Sequence, residues 1–64
     1  MLLKELLEIL PLNQACKVVY ILGEEIVEVK GKASNIANNH LYLMDYEVST
    51  AYTSSRNNCL NICL

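Results

Sequence analysis

Residues 15–33 place the tightest constraint on what this chain can fold into. Ala15 to Leu22, ACKVVYIL, is rich in β-branched and aromatic residues and reads as a strand. Glu25 to Ala33 reads as its partner, with Val27, Val29 and Ala33 alternating against Glu28, Lys30 and Lys32. Gly23 and Glu24 between them form a two-residue loop with glycine at the first central position, as a type II′ turn requires. On the first strand Cys16, Val18, Tyr20 and Leu22 share one face. Ala15, Lys17, Val19 and Ile21 share the other, which is only partly polar. A strand apolar on both faces belongs in the middle of a sheet or under a helix.

The remaining segments are arranged around that hairpin. In residues 2–10, Leu3, Leu6, Leu7 and Leu10 recur at i, i+3, i+4, i+7, with Lys4, Glu5 and Glu8 opposite, and Pro11 ends the run. So short an amphipathic helix must dock on an apolar surface. Ser34 to Asn39 reads as a serine cap followed by a helical turn or loop. Residues 40–46 are ambiguous between a short helix and the approach to a strand. Residues 47–53 favour β, 54–58 form a polar turn, and 59–64 read as a last strand with Leu60, Ile62 and Leu64 on one face. The expectation is a single small domain, residues 1–64, of mainly β α+β class. An N-terminal amphipathic helix precedes two antiparallel hairpins that form a small curled sheet or a half-barrel of SH3-like or Sm-like kind.

Composition narrows the function classes. The chain has 64 residues, 53% of them hydrophobic, with no Trp or Phe. Its apolar side chains only just offset the entropy of ordering so short a chain, so self-association is a physical expectation. Seven acidic residues against five basic ones give a formal charge of −2, and the pI is near 5.1. That balance argues against a basic nucleic-acid-binding arm. The apolar N-terminal stretch carries Lys4, Glu5 and Glu8 within it and has no small-residue cleavage signal, so no targeting segment is expected. No run is long enough for a transmembrane helix. Three cysteines without framework spacing fit a reducing compartment, so the cytoplasm is the expected location.

Chemistry-bearing residues are sparse. His40 is the lone histidine, and Asp45 or Glu47 are its candidate partners, but its setting in Asn38-Asn39-His40 is that of a solvated or capping residue. Cys59 and Cys63 on one strand would stand about 13 Å apart, too far for one metal ion. The three cysteines therefore read as small buried hydrophobes. Neither metal nor cofactor is expected, and no pattern of a hydrolase, zinc protease or phosphate loop is present. Two functions follow. The first is a non-enzymatic, self-associating interaction module whose interface uses Leu3, Leu6, Leu7, Leu10 and Tyr52, its partner a second copy or an unidentified protein. The alternative is a small nucleic-acid-binding barrel using His40, Arg56 and the tyrosines at 20, 42, 46 and 52.

Three stretches, ILPLNQ at 9–14, VKGKAS at 29–34 and LMDYEV at 43–48, resemble a loose group of short uncharacterised proteins of Gram-positive bacteria and their phages or other mobile elements. The resemblance spans most of the chain and implies no activity, cofactor or site residue. An Sm-like protein would show an aspartate–asparagine base-binding motif and a later Arg-Gly step. Here Tyr46 follows Asp45, and Asn57 follows Arg56.

Overall fold

In a computed structural model of the chain, the hairpin forms where its sequence places it: β1, Ala15–Leu22, pairs antiparallel with β2, Glu25–Lys32. Leu22 faces Glu25 across the turn. Gly23 has φ +65°, and among the described residues Asn58 is the one non-glycine with positive φ, so Glu24 has a negative φ and the turn carries the φ signature of type II′. The structure describes residues 1–54 and 56–64; Ser55, within the expected polar turn, lies outside the described residues.

The rest of the chain is α1 (Leu3–Ile9), α2 (Ala33–Asn39), a 3-10 turn (Leu41–Leu43), β3 (Thr50–Thr53) and β4 (Leu60–Cys63). The mainly β α+β class holds, and helix comes first. A second hairpin exists too, with β3 antiparallel to β4. The expected all-antiparallel arrangement needs correction, because β4 lies parallel to β1 and the sheet order is β2-β1-β4-β3. The physical reason is the length of the link after β2. That strand ends beside the start of β1, and residues 33–49 carry the chain back along the sheet before β3 descends. A parallel junction needs such a crossover of a dozen or more residues. β2 and β3 are the two ends of this order, so both are edge strands of an open sheet.

Two local boundaries also move. Ala33 opens α2 instead of closing β2, and Ser34 lies inside the helix, whose N-cap is Lys32 with no side-chain cap bond. The first amides of α2 are met by distant carbonyls: Ala33 N–H donates to Gln14 O (2.9 Å) and Ser34 N–H to Leu12 O (3.1 Å). α1 starts in the same manner. Leu3 and Lys4 donate to the carbonyls of Tyr46 and Met44, and Leu2 N–H donates to the Glu5 carboxylate at 2.7 Å. Each seven-residue helix is thus anchored at its start by other parts of the chain, which is what helices too short to persist alone require.

Both helices cover one face of the sheet. Cys16, Val18 and Tyr20 of β1 and Ile62 of β4 meet Leu3 and Leu7 of α1, Ala33 and Ile36 of α2, and Leu43 and Met44, forming the core. The opposite face of the sheet has no layer over it. There Lys17, Val19 and Ile21 alternate with the buried residues of β1, and Ile21 and Ile26 are 69% and 71% exposed.

Candidate functional sites

The residues expected to form one interface are divided between two sides of the molecule. Leu3 and Leu7 are inside the chain's own core, 0% and 5% exposed, and Leu6 and Leu10 pack partly buried against it. α1 therefore packs within its own chain. Tyr52 is on β3, paired with Asn61 on the uncovered face of the sheet. What α1 leaves open is a groove against α2. It has a volume of about 420 Å³ and is lined among others by Lys4, Glu8, Leu12, Ala33, Ala37 and Met44. The small side chains of Ala33 and Ala37 leave the space. Leu12 lines it too and is 75% exposed.

His40 and Arg56, coupled in the nucleic-acid reading, are not brought together. His40 ends α2, and its Nδ1 lies 3.2 Å from the Tyr42 hydroxyl, with the rings edge to face. Tyr42 in turn lies 3.4 Å from the hydroxyl of Tyr20, whose ring meets Tyr46 edge to face. The hydrogen bond to Tyr42, then burial, pushes the Tyr20 phenol above its ordinary range. The carboxylates considered for His40 are engaged elsewhere: Asp45 pairs with Lys4 at 3.3 Å and Glu47 with the Met1 ammonium at 3.1 Å. Tyr20, Tyr42 and His40 thus form a chain of hydroxyls ending on an imidazole, without a carboxylate to orient it.

Arg56 lies at the other end of the sheet, in the 54–59 turn. Gln14 ties this turn down, its side-chain amide donating to the carbonyls of Asn58 (2.9 Å) and Ala15 (3.0 Å). Beside the turn is an open cleft of about 600 Å³, lined among others by Lys17, Lys30, Lys32, Asn57, Asn61 and Cys59. Cys16 also borders it. Burial pushes the Cys16 thiol above its ordinary range, and neighbouring Cys59 adds to the shift. Of the five basic residues, only Lys4 lies away from this end. Sequence reasoning missed the cluster because its members are split between two strands, Lys17 on β1 and Lys30 and Lys32 on β2. The available signal was the turn itself: pairing Leu22 with Glu25 sets Lys17 directly opposite Lys30.

Among the described residues, no group of three or more His, Cys, Asp or Glu side chains could hold a metal ion. Compared with known protein families, curated proteins and solved structures, the chain matches none.

Proposed function

We propose that this chain is a small, non-enzymatic interaction module that associates with a second copy of itself through the α1–α2 groove. The observation that carries this reading is the groove's self-complementary rim. Lys4 and Glu8 stand one helical turn apart on α1 and both line the groove, and Lys4, 50% exposed, also pairs with Asp45 of its own chain. A two-fold axis across α1 sets each lysine opposite the partner copy's glutamate, as an isologous contact demands. Leu12 of each copy then has the other's groove over Ala33 and Ala37 to fill. The interface on this reading uses the outward side of α1, while Leu3 and Leu7 support it from the core. Three free thiols, one of them buried, suit the cytoplasm as the place where the module works.

Native mass spectrometry of the reduced protein, with sedimentation equilibrium, tests the reading. A dimer is expected. Leu12→Glu should weaken it roughly 10- to 150-fold, as for the loss of one buried leucine, without changing the circular dichroism. Lys4→Glu should weaken it, and the double swap of Lys4→Glu with Glu8→Lys should restore it. A monomer at every concentration, or a dimer indifferent to Leu12→Glu, overturns the proposal.

A further inference from the structure

The uncovered face of the sheet carries an ordered row that belongs to neither helix. Strand register places Lys30 of β2 opposite Lys17 of β1, Lys17 beside Asn61 of β4, and Asn61 opposite Tyr52 of β3. The row runs cation, cation, amide, aromatic ring across all four strands, about 14 Å from end to end at about 4.8 Å per strand. Lys32 stands two residues along β2 on the same face and borders the same cleft. We infer that this row binds single-stranded nucleic acid, with phosphates at Lys17, Lys30 and Lys32, a base stacked on Tyr52 and the Asn61 amide at a base edge.

Three observations support that assignment. First, like charges directly opposite on neighbouring strands destabilise a sheet. Only Lys17 of the pair has a carboxylate, Glu28 at 3.4 Å. Among the described residues Lys30 and Lys32 have no ion-pair partner, so two of the three lysines at this end stand without a carboxylate in a chain whose net charge is −2. Secondly, Tyr52 is 59% exposed on an edge strand, its ring unused by the core. Tyr52 stands two strands from Lys17 with Asn61 between them, and an exposed aromatic ring on the same face as a lysine cluster is a combination that holds unpaired bases, each stacked base contributing about 1–3 kcal/mol. Thirdly, Asn57 and Asn61 line the cleft; Asn57 Oδ1 accepts from Cys59 N–H and Asn61 Nδ2 donates to Cys59 O, which leaves the Asn57 amide nitrogen and the Asn61 side-chain carbonyl oxygen for base edges. A duplex hides its base faces and would leave Tyr52 without a role. This surface is across the sheet from the α1–α2 groove, so the inference stands or falls independently of the proposed dimer.

Fluorescence anisotropy with a labelled oligo-dT of about 12 nucleotides, a length within the span such surfaces cover, is the test. Binding should weaken with salt, the log–log slope being near −2 for about three phosphate contacts. Lys30→Ala should reduce that slope by about 0.7. Tyr52→Ala should cost roughly 5- to 150-fold in affinity at unchanged slope. Glu28→Gln, which frees Lys17, should tighten binding, a gain that unfolding could not mimic. No binding at low salt overturns the inference. So does equal affinity for the corresponding duplex or for anionic lipid vesicles, or binding indifferent to Tyr52→Ala.

Discussion

Cys16 shows how burial alone sets the behaviour of a side chain here. Its thiol is 1% exposed and donates to the Gln14 carbonyl at 3.4 Å. Desolvation, with Cys59 nearby, lifts its pKa above the ordinary 9.0. Because the folded-state value is the higher one, stability is fully present below pH 9.0 and declines above it as the unfolded thiol ionises first. Tyr20 adds to that loss above pH 10.0, the phenol's ordinary value. A pH series of urea melts should show the alkaline decline, and Cys16→Ala should delay its onset. Thiol titration should find Cys59 and Cys63, both half-buried, reacting ahead of Cys16. Three equal rates would refute this account. Hydrophobic alternation made the burial of Cys16 legible in the sequence, since it shares a face with Val18 and Tyr20. The closeness of Cys59 was not legible, because it follows from the parallel pairing of Cys16 with Leu60.

Local chemistry determined some elements and left others to tertiary contacts. β1 was readable to the residue because composition, alternation and the Gly23 turn agree. α2 was not, since its start depends on the carbonyls of Leu12 and Gln14, which no local pattern announces. The same applies to Leu41–Leu43: its 3-10 turn follows from Leu43 donating to His40 O and Met44 to Leu41 O, after α2 has already ended. Gln14 is the joint between these parts. Its backbone carbonyl starts α2 while its side chain fastens the 54–59 turn to β1. Gln14→Ala should therefore cost about 1–3 kcal/mol, the loss of two side-chain hydrogen bonds. Amide exchange should quicken around Asn58 and Cys59 more than in β2. An equal effect on both would place the cost elsewhere.

For the whole molecule, the consequential feature is the parallel junction of the two hairpins. β4 brings Ile62 to 0% exposure between β1 and the helices, and without it β3 has no strand to pair with. A domain of this size has about 3–10 kcal/mol of stability, and truncating a fully buried isoleucine costs about 2–5 kcal/mol. Ile62→Ala should therefore remove a large share of the monomer's stability. If two copies share the α1–α2 groove, dimerisation adds stability by mass action, and the melting temperature rises with protein concentration. Leu12→Glu should abolish that dependence while leaving the dilute-limit melting temperature unchanged, since Leu12 is 75% exposed in the single chain. Thermal melts of Ile62→Ala over a wide concentration range give the most sensitive reading, because a marginal fold responds most visibly to any partner that binds only the folded state. A concentration-dependent rescue of that variant, absent when Leu12→Glu is added, would connect the buried strand to the surface groove. A melting temperature independent of concentration in both would mean that the single chain is the whole folding unit.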